Sequence, residues 1–256
     1  MAKKISIIIQ SHNRPSGLQR AMLSLQMQTF KNFEIVISDD SENYSEIVKI
    51  INGSAAHGLE INFKHTQPCG AAESMRDAYE RTSGEYIKIL HDDDWLTPRS
   101  LEYQNYALST NLDTNAVYGR AIICYPYEDK VFYSFGEEVI KIPSSEWVSL
   151  YASDGFGPLQ SPVTALYRRH HRFRVMWDEF TNPELREAAR KTGAGTDVSL
   201  QVDNAGSNSA VILLPYVVCF LGTDMGSCTQ TDKNISNYYQ MWKQEYDSHP
   251  AWRYQP

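Results

Sequence analysis

Four short apolar runs, each followed by a helical pattern, constrain this chain more than any other feature. Ile5–Ile9, Phe33–Ile37, Ile61–His65 and Tyr86–Leu90 have strand length and are rich in β-branched or aromatic residues. Between them Leu18, Ala21, Met22 and Leu25 recur at helical spacing. Ile47, Ile50 and Ile51 mark a second helix, and Gly70 opens a third that runs to about Thr82. Apolar strands that alternate with helices predict a parallel sheet with helices on both faces. Such sheets bind ligands beyond the carboxyl ends of their strands. Three of those ends are polar here: Gln10–Arg14, Ser38–Ser41 and His91–Asp94.

The second half is less regular. Ala116–Cys124 and Val131–Phe135 read as strands around a turn at Pro126–Lys130, and Val163–Arg168 as another strand. Glu184–Lys191 and Asp197–Val202 read as helices, Val211–Leu214 and Tyr216–Leu221 as strands. No Pro/Gly/Ser linker separates the halves. We therefore expect one α/β domain over 1–225, with a smaller second lobe, and a polar, aromatic-studded tail over 226–256.

Composition narrows the class. Hydrophobic residues make up 42% of the 256, enough for a sizeable core, so wholesale disorder is excluded. The net charge of −7 argues against a role resting on non-specific phosphate contacts. Cys69, Cys124, Cys219 and Cys228 form no C-x-x-C pair and no disulfide framework, which points to a reducing compartment. The N-terminus lacks a signal-peptide pattern, and the longest apolar segment, Ala210–Leu221, is broken by Pro215 and too short to span a bilayer. A cytoplasmic protein without a transmembrane segment is expected.

Asp92, Asp93 and Asp94 carry the sharpest chemical signal. Three adjacent carboxylates at the end of a buried strand repel one another, and a hard divalent cation, Mn²⁺ or Mg²⁺, would offset that cost. The bland alternative is a solvated turn leading into a helix near Pro98. Asp40 could accept a hydrogen bond from a base N–H, with His12 and Asn13 beside it; the bland alternative is an Asx turn. Arg168-Arg169-His170-His171-Arg172-Phe173-Arg174 is a dense basic run, readable as solvated surface or as a contact for an anionic acceptor or phosphate through Arg168, Arg169 and Arg172.

These segments resemble the family 2 glycosyltransferases of the GT-A fold. The likeness rests on Ile7–Pro15, on Gln28-Thr29-Phe30 with Phe33–Ser41, and on Gly84–Asp94 with Pro98 behind it. It is strong over residues 5 to about 105 and thin but continuous to about 222. The resemblance implies a Rossmann-like, mostly parallel central sheet, with 1–112 as the nucleotide-sugar half and 113–225 as the acceptor half. It places Asp40, Gln10 and His12 around the base, Arg14, Gly70 and Arg76 near the donor, Asp92 near the ribose and Asp93 on the metal. His91 replaces the first acid of the family's Asp-x-Asp motif, and Ser74-Met75-Arg76 replaces its Ala-Arg-Asn.

In the second half, Trp177-Asp178-Glu179 is similar to the family's aromatic-Asp-Glu stretch, and Asp197 stands at the place of its catalytic base, following Thr196 rather than Glu. The alternative for Asp197 is a helix N-cap; Asp203 and Glu179 are reserve bases. The implied activity is a metal-dependent, inverting transfer from a nucleotide sugar, expected to be UDP-linked, to a saccharide or lipid-linked acceptor. Glycosylation of a modified nucleic-acid base, with DNA as the partner, is a minority reading. A sugar nucleotidyltransferase and a non-catalytic nucleotide-sugar-binding module are the rival classes. Trp242 and Tyr246 read as packing, while Trp252 and Tyr254 could stack on a sugar.

Overall fold

The computed structural model describes residues 4–124, 129–132, 137–153, 161–170, 173–175, 179–206, 209–222 and 234–248. The four apolar runs form β1 (Ile5–Ser11), β2 (Phe33–Asp39), β3 (Ile61–His65) and β4 (Tyr86–Ile89). They pair in parallel in the order β3-β2-β1-β4. Every residue of β2 is buried, as the unbroken Ile/Val run requires of a strand covered on both faces, whereas edge strand β3 alternates between half-buried and exposed.

Helices α1 (Pro15–Gln26) and α2 (Tyr44–Ala56) contribute to the core on one face, and α3 (Ala71–Glu80) to the core on the other. The connection changes face between β3 and β4. The carboxyl ends of β1 and β4 therefore flank a topological switch point, where sheets of this kind open a crevice.

The chain continues through β5 (Trp95–Leu96), α4 (Ser100–Thr110), β6 (Thr114–Cys124), β7 (Asp129–Phe132), β8 (Ile140–Pro143) and α5 (Ser144–Ser153). A 3-10 turn, Pro162–Thr164, precedes β9 (Ala165–Arg168); then come α6 (Pro183–Thr192), α7 (Thr196–Ala205), β10 (Ala210–Gly222) and α8 (Ile235–Ser248). One sheet runs through both halves, extending past β4 as β9-β6-β10-β5, with β7 on β6 and β8 on β10. β9 is antiparallel to both β4 and β6, so the parallel order breaks where the second half begins.

Several sequence expectations shift here. The strand expected over Val163–Arg168 starts as a 3-10 turn, because Ser161 caps Val163 N–H and Pro162 fixes the first helical φ. The two strands expected around Pro215 are one strand, β10, whose pairing with β6 slips between Leu213 and Val217. Proline lacks the ladder N–H, and a register irregularity accommodates it. β7 begins at Asp129, inside the expected turn, while residues 133–135 of its expected span lie outside the described residues.

A buried lysine knits the two halves. Lys88 of β4 is fully buried, and its ammonium donates to Gln104 Oε1 at 2.9 Å and to the Val163 carbonyl at 2.6 Å. The Gln104 amide in turn donates to the carbonyls of Val117 and Thr164. A polar residue inside Tyr-Ile-Lys-Ile is thus tolerated because its donors meet acceptors.

Candidate active site

The site is built from the loops that leave β1, β2 and β4. After β1 the chain turns sharply at Asn13, which adopts a left-handed φ of 54°. Three hydrogen bonds hold that turn. Asn13 N–H donates to Ser41 Oγ at 2.8 Å, its Oδ1 accepts from Glu42 N–H at 2.8 Å, and its Nδ2 stands 3.2 Å from His12 Nε2. Pro15 then starts α1, and Arg14 is left at the N-cap with its side chain directed at the end of β4.

Three carboxylates converge on this turn. His12 Nδ1 lies 2.7 Å from Asp40 Oδ1, and His12 N–H donates to Asp92 Oδ2 at 3.1 Å. One nitrogen of Arg14, Nη1, donates to Asp92 Oδ1 and Asp93 Oδ2, each at 3.0 Å. Asp40, from the end of β2, and Asp92 and Asp93, from the end of β4, thus meet on the same short segment, His12–Arg14.

Asp92, Asp93 and Asp94 are all buried. Asp94 accepts from Gly222 N–H at 2.8 Å and lies 3.5 Å from His91 Nδ1. Arg20 of α1 donates to the Asp93 carbonyl at 2.8 Å. Burial, with Asp93 adding, pushes the Asp92 carboxyl up to about 6 against the pull of Arg14. Burial also raises Asp94, against the pull of His91. Burial alone would lower the His91 imidazole, but bonded Asp94 and the charges of Asp197 and Asp93 lift it to about 9.

The backbone of the acidic loop is closely walled. A methyl group on Gly17 of α1 would overlap the Asp92 carbonyl oxygen, and one on Gly222 of β10 the Asp93 carbonyl oxygen. Gly70 has a φ of 84°, and a Cβ there would sit 2.7 Å from the Arg190 carbonyl, so only glycine lets this loop pack on α6. Gln10 donates to the Ala71 carbonyl at 2.5 Å and ties the end of β1 to the start of α3. Arg76 stands further along α3, with Glu73 at 3.7 Å.

Among the described residues, His91, Asp93 and Asp94 offer three ligand atoms that all lie within 4.8 Å of one another. An imidazole and two carboxylates suit a divalent ion such as Mn²⁺, so the residues present fit the expected metal. Asp93 was the expected ligand; His91 and Asp94 join it through their i,i+3 spacing on the loop.

Asp197 reaches the same site from the second half. It lies in the first turn of α7, entered through Gly195 at a φ of 77°. Gly195, not Asp197, is the N-cap of that helix. Burial raises the Asp197 carboxyl, with the charge of Asp94 adding to it and that of His91 opposing. Asp203 is held up to about 6 by burial and faces Arg174 instead. Glu179 is exposed, and Trp177 and Asp178 lie outside the described residues.

Arg168 and Arg169 of the basic run lie away from the acidic loop. Arg168 pairs with Tyr86, at the amino end of β4, while the acidic loop follows the carboxyl end. Its guanidinium donates to the carbonyls of Thr114 at 2.9 Å, Leu108 at 2.6 Å and Asn111 at 3.1 Å. Arg169 donates to the carbonyl and hydroxyl of Thr82. Both side chains are engaged with main-chain carbonyls; the expected contact with a phosphate or acceptor stays an expectation. Arg172 lies outside the described residues, as do Trp252 and Tyr254. Trp242 is buried in the core and donates to Ser199 Oγ at 2.7 Å, the packing role expected of it.

Three positions escaped the sequence reading. Arg20, Gly17 and Gly222 touch the acidic loop through its backbone, and no local motif marks them. Cys69, Cys124 and Cys219 are not in disulfide bonds, and Cys228 lies outside the described residues. No described helix is long and apolar enough to cross a membrane.

Residues 6–153, more than half the chain, match the model of glycosyl transferase family 2. A glucosyltransferase of Campylobacter jejuni, named for GalNAc(5)-diNAcBac-PP-undecaprenol, is 31% identical over 103 residues, 38% of this chain and 32% of that protein. An uncharacterized glycosyltransferase of Haemophilus influenzae is 30% identical over 114 residues, 44% of this chain and 37% of that protein. Protein CgeD of Bacillus subtilis is 27% identical over 194 residues, 70% of this chain and 43% of that protein. The chain thus spans less than half the length of these curated relatives. The crystal structure of S. aureus TarS 1–349 in complex with UDP-GlcNAc superposes with a TM-score of 0.68 at 15% identity, covering 96% of this chain and 67% of that one.

Proposed function

The chain belongs to glycosyl transferase family 2, and on that premise we propose that it is a metal-dependent, inverting transferase that takes a sugar from a UDP-linked donor. The observation that carries this reading is the convergence of His91, Asp93 and Asp94 beside Asp40 at the switch point of the sheet. A divalent ion held there would supply positive charge against a donor's diphosphate and ease its departure.

The chain's own residues divide the remaining work. Asp40, oriented by His12, accepts an N–H of the base. Asp92 is the candidate for the ribose, and Gln10 and Gly70 shape the floor between β1 and α3. Arg14 and Arg76 are the candidate diphosphate contacts. Asp197 approaches from α7 and takes the proton of an acceptor hydroxyl as that oxygen attacks the anomeric carbon. Burial raises its pKa, the direction that makes a carboxylate a stronger base toward this proton. Attack from the face opposite the leaving diphosphate inverts the configuration at that carbon.

The UDP-GlcNAc held by TarS supports a UDP-sugar, and the Campylobacter relative, named for an undecaprenol-linked substrate, supports a lipid-linked glycan as the acceptor class. The experiment is a screen of UDP-sugars for UDP release with Mn²⁺, followed by a screen of saccharide and lipid-linked acceptors with the best donor. Asp197→Asn should keep donor binding and lose turnover. Turnover equal to wild type in that variant would remove Asp197 from the chemistry; donor binding without turnover in both proteins would favour a pure binding role for the site.

A further inference from the structure

Three consecutive carboxylates, Asp92, Asp93 and Asp94, are 5%, 7% and 4% exposed. Like charges so placed destabilise one another and lose hydration, so the fold needs a positive group among them whether or not an ion is bound. Arg14 meets that need for two of the three. Its Nη1 lies 3.0 Å from Asp92 and 3.0 Å from Asp93, and the side chain is only 23% exposed.

The aim of this arginine is built into the turn. Asn13 holds a left-handed φ of 54° and is fixed by Ser41, Glu42 and His12, while Pro15 starts the helix directly behind. Asp93 belongs both to this arginine pair and to the cluster of His91, Asp93 and Asp94 that could hold a metal. An arginine and a divalent ion therefore claim the same carboxylate.

We propose that Arg14 is a positioning residue that serves as the resident counter-cation of the acidic loop: it holds Asp92 and Asp93 converged before a divalent ion arrives, and it competes with that ion for Asp93. The inference rests on the metal-binding reading of the loop given above. It adds an order of events. An ion alone must displace Arg14 and binds weakly. A donor diphosphate offers the guanidinium a new anionic partner, so ion and donor strengthen each other's binding.

The test is a titration of Mn²⁺ alone into the full chain, by calorimetry or by the resonance of free Mn²⁺, repeated with UDP present. Wild type, Arg14→Gln and Arg14→Lys are compared. Without UDP, Arg14→Gln should bind Mn²⁺ on the order of tenfold more tightly than wild type, the scale of a close opposite charge. Arg14→Lys should stay near wild type, and the gain produced by UDP should shrink in Arg14→Gln. Loss of a merely structural arginine would weaken ion binding, not tighten it.

Melting provides a second measurement should the ion-free variant fold poorly. Mn²⁺ should raise the Tm of Arg14→Gln by more than it raises that of wild type; an equal or smaller rise would overturn the inference. UDP binding with identical Mn²⁺ affinity in wild type and Arg14→Gln would overturn the inference and leave the donor-site reading standing. Absence of Mn²⁺ binding in all three proteins would overturn both the inference and the metal dependence.

Discussion

The Nδ1 atom of His12 lies 2.7 Å from Oδ1 of Asp40. Asn13 Nδ2 donates toward the other ring nitrogen at 3.2 Å, so the network assigns the proton to Nδ1 and directs it at the carboxylate. Asp40 is thereby held in one orientation, with its second oxygen left to accept from a base.

Asp40→Asn should remove most of the affinity for UDP, because the amide presents a donor where the base N–H also donates. His12→Ala should cost less, about 1–2 kcal/mol, the worth of a hydrogen bond that orients a charged group. Titration of UDP into each variant measures both. Unchanged affinity in His12→Ala would mean that the ring does not orient Asp40.

Gly222→Ala should disrupt the acidic loop without unfolding the sheet. The added methyl group would overlap the Asp93 carbonyl oxygen, which Arg20 also holds. The loop must move, and Asp93 and Asp94 must leave the arrangement that brings them together with His91. We expect Mn²⁺ binding to fall at least tenfold, the scale on which loss of a group that orients a metal ligand acts, with the far-ultraviolet circular dichroism unchanged. Wild-type ion affinity in this variant would show that the loop tolerates displacement.

Glu34 should mark the acid limit of stability. Burial alone would raise its pKa, but the Ser6 hydroxyl, the Ser83 N–H, Lys4 and the Ser83 hydroxyl hold it at about 2, against an ordinary value of 4.5. A carboxylate with a lower pKa in the folded chain contributes fully above about 4.5 and loses that contribution as pH falls toward 2. Glu34→Gln should therefore be less stable than wild type at neutral pH, and the gap should close as pH falls through that window. Denaturant melts at stepped pH values check this. A constant gap would mean that the network stabilises Glu34 no more than an amide.

The first half of the fold was legible because buried parallel strands leave unbroken apolar runs, and β1 to β4 stand where those runs lie. β8 and α5 left weaker marks. The strand alternates between half-buried and exposed residues over only four positions, too short to separate from a loop. The acidic residues were legible as a cluster at a strand end, but their partners were not. Gly17 and Gly222 act through steric contact with a backbone far away in sequence, which no local pattern records. The packing of Arg168 was hidden for a related reason. Charge density suggests a solvated or ligand-binding face, yet Arg168 spends its guanidinium on three main-chain carbonyls. Only the antiparallel placement of β9, fixed by distant pairing, decides that outcome.

The most direct measurement is calorimetric titration of UDP into the full chain with and without Mn²⁺, run in parallel on Asp93→Ala. We expect saturable binding that tightens with Mn²⁺ in wild type and loses its Mn²⁺ dependence in the variant. Binding of UDP that ignores the ion in both proteins would contradict the assignment of His91, Asp93 and Asp94 as the metal-holding edge of the donor site.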